Sequence, residues 1–118
     1  MAGTVTKTEK SWGSMKRVKF ACTSSSGGAA DATTTEVYDG LIVLVCTDPG
    51  ATAPSDNWDL VLQDADGVDL LAGQGANRST SATQYISSGM GGLAASKLTL
   101  GVTNAGDSKL LDVYVYIR

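Results

Sequence analysis

The chain has 118 residues, 42% of them hydrophobic, and a formal net charge of −3. This length predicts one domain with a sizeable core. The chain has no histidine, which removes the commonest general base and the commonest metal ligand. The longest apolar run, Leu41–Cys46, is too short to be a transmembrane helix, and the first residues lack the apolar segment of a signal peptide. We therefore expect neither a membrane partner nor secretion.

The charge is distributed unequally along the chain. Residues 1–20 contain five basic side chains and one acidic one, a net charge of +4, whereas the remainder contains four basic and eleven acidic ones, a net charge of −7. The basic segment is either a solvated strand or an arm that docks on an acidic surface. Because the acidic body repels phosphate, we expect no nucleic-acid partner.

Residues 1–14 are polar and are interpreted as an extended N-terminal arm or a first edge strand. We expect this segment to be dispensable for folding and to become ordered on a partner. Residues 15–118 are predicted to form the folded domain. Within it, Lys16–Thr23 alternates, which places Val18, Phe20 and Cys22 on one strand face.

The middle of the chain predicts three further features. The apolar run in Val37–Cys46 indicates a central strand buried on both faces. Asn57–Leu71 is typical of two short strands joined by a tight turn at Asp64–Gly67, with Trp58, Leu60 and Leu62 on one face. Residues 73–92 form a long polar loop in which only Tyr85 and Ile86 resemble a strand, and a loop of that length is often functional.

Two alternating segments complete the domain. Lys97–Thr103 is the first, and Leu111–Ile117 is the second, with Asp112, Tyr114 and Tyr116 on its outward face. No segment shows a sustained helical period. The chain is therefore predicted to be all-β, a single antiparallel β-sandwich or barrel of about seven short strands with an extended N-terminal arm.

The candidate chemical motifs all have a structural interpretation. Cys22 and Cys46 lie in apolar strand patterns, so we expect buried free thiols, although a disulfide is left open. The turn Asp64-Ala-Asp-Gly67 resembles a calcium loop, but alignment on Gly67 leaves no carboxylate at loop positions one and twelve. The serine residues have no histidine to act as a base. We therefore expect no enzyme activity, no metal site and no cofactor.

Large aromatic, apolar or cationic side chains in polar or outward-facing positions are candidates for contacting a partner. These residues are Lys7, Lys10, Trp12, Arg78, Met90, Tyr114 and Tyr116. Outward tyrosines and exposed edge strands also favour self-association. We expect a homo-oligomer, with a trimer favoured.

A series of turns in residues 40–118 resembles that of small virion proteins of tailed bacteriophages. The segments concerned are Thr47–Gly50, Ala53–Asp59, Asp64–Asp69, Gly73–Arg78 and Asn104–Ser108. The resemblance implies a β-sandwich that works within a phage particle. We interpret the chain foremost as a capsid decoration (cement) protein, with the major capsid protein as partner and a place on the capsid surface after assembly in the host cytoplasm.

Two alternatives remain open at this point. Within a virion, the chain could belong to the head–tail connector, the tail or the baseplate. In another class, it could be a carbohydrate-binding or adhesion module in which Trp12, Tyr114 and Tyr116 are sugar platforms.

Overall fold

The computed structural model describes residues 3–90 and 93–118, and that part of the chain contains nine β-strands. The strands are β1 Thr4–Trp12, β2 Met15–Thr23, β3 Ala30–Thr33, β4 Tyr38–Pro49, β5 Asp59–Gln63, β6 Gln84–Ile86, β7 Leu93–Ser96, β8 Thr99–Thr103 and β9 Leu110–Ile117. The described residues include no helix, and hence none that is long and apolar enough to cross a membrane.

The strands form two antiparallel layers. The larger sheet has the order β1-β2-β9-β4-β6, with β7 paired to the first part of β4, and the smaller sheet has the order β3-β8-β5. Because both inner faces are apolar, the two sheets enclose one core. The predicted all-β sandwich is confirmed, with nine strands rather than about seven.

β1 and β2 form a long hairpin, closed by a two-residue turn at Gly13 and Ser14. Gly13 has a φ of +56°, the positive value that a tight hairpin turn requires at its first central position. From that turn the two strands pair without interruption, from Trp12 opposite Met15 to Thr4 opposite Thr23. Residues 1–14 were expected to be either an extended arm or a first edge strand. Residues 4–12 form an edge strand.

A carboxylate fastens β1 to the connection between β3 and β4. The Oε1 atom of Glu9 accepts hydrogen bonds from the Tyr38 hydroxyl at 2.7 Å and the Glu36 N–H at 3.1 Å, and Oε2 accepts one from the Thr35 N–H at 3.1 Å. Partial burial raises the pKa of Glu9, but these three hydrogen bonds, with the Lys7 charge, outweigh it and lower the pKa below its ordinary value. The charged form of Glu9 therefore stabilises the fold.

We expect Glu9→Gln to lower the free energy of unfolding near neutral pH by about 0.5–1 kcal/mol, because the site is partly exposed to solvent. A depressed pKa gives stability that is present above the ordinary carboxyl pKa and lost as the pH falls through the lowered folded value. Urea melts of the two proteins should therefore differ at neutral pH and converge in acid. A difference that persists at acidic pH would show that the charge of Glu9 is not its cause.

The core is built from the inward positions of both sheets. Val18, Phe20, Trp58 and Leu62 are completely buried, and Leu60 and Cys22 are nearly so. The shared faces predicted for β2 and β5 are therefore confirmed. The last strand behaves in the same way, with Leu111, Val113, Val115 and Ile117 buried and the residues between them partly exposed.

β4 differs from its prediction. Its register with β9 shifts between Ile42 and Leu44, which marks a β-bulge. The bulge interrupts the alternation of side chains along the strand. Ile42 before it and Val45 after it are therefore both buried, while Leu41 is 53% exposed. Only part of the apolar run Leu41–Cys46 therefore lies where both faces of the sheet are buried.

The predicted hairpin at residues 57–71 forms only in part. β5 and the turn after it are present, but the returning segment makes one isolated bridge, between Gln63 and Asp69, before turning away. Asp69 causes this change of direction, because its carboxylate accepts hydrogen bonds from the N–H groups of Leu62, Leu71 and Gly73. These bonds fold residues 69–73 into a turn in place of a second strand.

Both cysteines are free and buried. Cys22 lies on β2 and Cys46 on β4, with β9 between the two strands. Two strand spacings amount to roughly 10 Å, which exceeds the reach of a disulfide. The open question of pairing is therefore resolved in favour of two thiols.

Candidate interaction surface

The outer face of the larger sheet brings together side chains from four strands. The buried positions alternate with outward ones, so Arg17 and Lys19 of β2 lie on the same face as Tyr114 and Tyr116 of β9. In the register, Lys19 lies opposite Tyr114 and Arg17 opposite Tyr116. On the far side of β9, Tyr114 lies opposite Cys46, and Cys46 lies opposite Tyr85, which is 66% exposed.

Cations and aromatic rings alternate across one end of this face. The Arg17 Cζ lies 5.3 Å from the centre of the Trp12 ring and 5.7 Å from that of Tyr114, and the Lys19 Nζ lies 5.6 Å from the Tyr114 ring centre. Both rings are thus within the range of cation–π attraction. We call this surface the cation–aromatic patch. It consists of Lys10, Trp12, Arg17, Lys19, Tyr114 and Tyr116.

Two carboxylates flank the patch and face each other. Asp112 lies directly opposite Asp48 in the pairing of β9 with β4. Partial burial raises the pKa of Asp112; the Lys19 charge opposes this shift and the Asp48 charge adds to it, so the net pKa lies above the ordinary value. At neutral pH this pair of like charges therefore destabilises the fold.

We expect Asp112→Asn to raise the free energy of unfolding at neutral pH by up to about 1 kcal/mol. A raised folded pKa means that the folded state holds the proton more tightly, so wild-type stability falls as the pH rises through that value. The variant should lose this dependence, and the two melting curves should meet in acid. Asp31→Asn on the other sheet is the control, since Asp31 is exposed in β3, and an equal gain there would indicate a general charge effect.

The structure brings four of the seven predicted contact residues together. Lys10, Trp12, Tyr114 and Tyr116 all belong to the cation–aromatic patch. Their common position supports a contact surface, and contact with a partner stays a prediction.

The other three predicted residues lie elsewhere. Lys7 lies on the inner side of β1, and its ammonium group donates a hydrogen bond to the Thr33 carbonyl of the smaller sheet at 2.5 Å. Arg78 bridges Trp58 through its backbone, and its guanidinium group donates to the Ala76 carbonyl. Met90 packs against the core. These three side chains thus already have intramolecular contacts.

The acidic turn after β5 uses its carboxylates to hold the backbone. The Oδ1 atom of Asp64 accepts hydrogen bonds from the N–H groups of Asp66 at 2.9 Å and Val68 at 3.1 Å. Within residues 3–90 and 93–118, no group of three or more metal-ligating side chains forms. The turn is a local structural device in this part of the chain.

The sequence-based candidates did not include Arg17 and Lys19 of the patch, nor Tyr85 on the same outer face of the larger sheet. Alternation in β2 puts Arg17 and Lys19 on the face opposite Val18 and Phe20, but it gives no reason to join them to Tyr114, which is about one hundred residues away. The signal was the alternation of basic side chains with core residues in Arg17-Val-Lys-Phe20. Such alternation shows which face a side chain shares but not which strand lies beside it.

Comparison with known proteins gives a fold and no family. No protein-family model matches the chain. No curated protein matches it either.

Several solved structures have a similar fold. A low-affinity xylan-binding module from Roseburia intestinalis aligns over 99% of this chain and 87% of its own, with a TM-score of 0.53 and 9% identity. The periplasmic lysozyme inhibitor PliG of Aeromonas hydrophila aligns over 94% and 93%, with a TM-score of 0.48 and 15% identity. A chain of the cyanophage Pam1 capsid asymmetric unit aligns over 98% and 84%, with a TM-score of 0.47 and 20% identity.

The likeness to the xylan-binding module supports the β-sandwich fold. Proteins of similar fold thus include a carbohydrate-binding module. Identities this low carry no function from those proteins to this one.

Proposed function

We propose that this chain is a virion structural protein of a tailed bacteriophage that decorates the capsid. It binds the outside of the shell at symmetry-related sites, contacts the major capsid protein and holds neighbouring subunits together. The observation that supports this proposal most directly is the cation–aromatic patch. Trp12 is 52% exposed there, with Arg17 over its ring, and tryptophan, tyrosine and arginine are the residues enriched at protein interfaces.

The mechanism is mass action. A protein that binds only the assembled shell stabilises that shell by its binding free energy, and many copies sum to a large effect. The decoration protein needs no catalytic group for this role. We further propose that it acts as a homo-oligomer, foremost a trimer, because a ring can follow the symmetry of a shell.

The test uses purified phage particles whose genome encodes this chain. Quantitative mass spectrometry should find hundreds of copies per particle, and cryo-EM should place them on the outer shell. A handful of copies, or a single ring at a vertex, would instead indicate a connector, tail or baseplate component. Particles from which the gene is deleted should release DNA at a lower temperature, and added protein should restore the wild-type release temperature.

A matched pair of variants tests whether the patch is responsible. Trp12→Ala should restore the release temperature only at much higher protein concentration, because a buried interface aromatic carries about 2 kcal/mol or more. Val61→Ala is the control. Val61 is 37% exposed on β5, in the smaller sheet, and its removal should leave the restoration unchanged.

A carbohydrate-binding module is the second candidate. It is favoured by the tyrosines on the outer face, where Tyr85 of β6 lies two strands from Tyr114, with β4 between them, and is 66% exposed. Aromatic rings on a sheet face can stack on sugar rings. Binding of the purified protein to a glycan array, lost in Tyr85→Ala and Tyr114→Ala, would support this candidate and count against decoration.

A further inference from the structure

Positive charges concentrate in the patch, although Asp112 lies near Lys19 at its edge. Lys10 and Arg17 lie directly opposite each other in the pairing of β1 with β2, and Lys19 lies two residues beyond Arg17 on the same face. Like charges in directly opposed positions destabilise a sheet. Among residues 3–90 and 93–118 the ion pair that forms is between Lys16 and Asp39, and it lies outside the patch.

Arg17 is held in place while it retains unused hydrogen-bonding capacity. Its guanidinium group has the Trp12 and Tyr114 rings within 5.3 and 5.7 Å. Its Nε atom is buried and has no hydrogen-bond partner in the described part of the chain. A carboxylate from outside cannot reach the buried Nε, but the two Nη groups of a guanidinium can donate two parallel hydrogen bonds to a carboxylate.

We infer that the cation–aromatic patch is a carboxylate-binding site, in which Arg17 receives an Asp or Glu side chain of an acidic protein segment. Lys10 and Lys19 provide further positive charge, and Trp12 covers an apolar side chain next to the bound carboxylate. The identification of that segment as part of a capsid subunit rests on the proposed function. The carboxylate site itself rests on the geometry of Arg17.

Charge complementarity favours an acidic protein segment over a continuous polyanion. Asp48 and Asp112 lie on the same outer face as the patch, and residues 21–118 have a net charge of −7. A nucleic acid or an acidic polysaccharide has regularly spaced anionic groups that would also meet these carboxylates. A short segment with one or two carboxylates and an apolar side chain fits between them.

The test measures binding of a capped pentapeptide, Gly-Glu-Leu-Glu-Gly, at low ionic strength. Isothermal titration calorimetry gives the affinity, and the NMR signals of the Arg17 Nη–H groups report the contact itself. We expect those signals to shift on titration, and the glutamine analogue of the peptide to bind at least about 10-fold more weakly. Polygalacturonate and single-stranded DNA serve as comparison probes and should bind more weakly than the peptide.

Three variants distinguish the guanidinium geometry from charge alone. Arg17→Gln should weaken peptide binding about 10-fold or more, and Arg17→Lys should weaken it less, because lysine keeps the charge but not the planar pair of donors. Lys97→Gln removes an exposed cation outside the patch and should change the affinity less than about 2-fold. Thermal melts of all three proteins check that each is folded.

Several outcomes would overturn the inference. These are equal binding of the glutamine analogue, tighter binding of DNA or polygalacturonate, or unchanged peptide affinity in Arg17→Gln. Self-association that Arg17→Gln abolishes would make a second copy of this chain the occupant and would also overturn it.

The proposed function and the carboxylate site can be disproved independently of each other. If native particles lack the protein while the peptide still binds through Arg17, decoration is wrong and the carboxylate site stands. If Arg17→Gln decorates particles as fully as the wild type and also binds the peptide with unchanged affinity, the carboxylate site is wrong and decoration stands.

Discussion

Replacing Trp58 with alanine is expected to lower the free energy of unfolding by about 3–5 kcal/mol, a large part of the stability of an ordinary domain. Trp58 is completely buried between the two sheets. Its indole Nε1 donates a hydrogen bond to the Ser79 carbonyl at 3.1 Å, and its backbone pairs with that of Arg78. The indole therefore fills the core and also holds the long loop against the smaller sheet. Its removal leaves a large cavity and an unpaired carbonyl.

The other tryptophan is the matched control for this experiment. Trp12 is 52% exposed on β1, so Trp12→Ala should change the free energy of unfolding by much less. Trp58→Phe should give an intermediate loss, since it keeps most of the apolar volume but not the hydrogen bond. Urea melts followed by circular dichroism measure all three. Similar losses for Trp12→Ala and Trp58→Ala would contradict the buried position of Trp58.

Removing residues 2–12 is expected to destabilise the domain strongly. β1 forms nine cross-strand pairs with β2, and at roughly 0.2–1 kcal/mol each these amount to about 2–9 kcal/mol. The deletion also uncovers the edge of β2 next to Val18 and Phe20, and it removes the Glu9 hydrogen bonds to the connection between β3 and β4. This expectation reverses the one drawn from composition, which treated the segment as dispensable for folding.

Two controls separate loss of the strand from loss of individual side chains. Glu9→Gln removes only the charge of Glu9, and Lys10→Gln removes only an exposed charge, so both variants should remain folded. Calorimetry of the truncated protein should show a greatly lowered melting temperature or no cooperative transition. A truncated protein that melts like the wild type would show that β1 is an accessory strand, as the composition suggested.

Local alternation was sufficient to predict much of this fold. In β2, β5, β8 and β9 every second residue is apolar, and those residues are the buried ones in the structure. This works because side-chain direction in a strand reverses at each residue, so the inward face depends only on neighbouring positions. The outward positions of Tyr114 and Tyr116 followed from the same rule.

The order of the strands was decided by the tertiary structure alone. Trp12, Arg17 and Tyr114 meet because β2 lies between β1 and β9, and strand neighbours distant in sequence are set by how the whole core packs. The same dependence explains β4, where the bulge leaves Leu41 exposed within an apolar run. The same dependence explains why the Lys7 ammonium group bonds to the Thr33 carbonyl, because alternation along β1 does not show which strand lies across from it. The sequence by itself determined which residues face inward, and only the packed sheets decided which outward side chains share a surface, because that requires contacts between strands far apart in the chain.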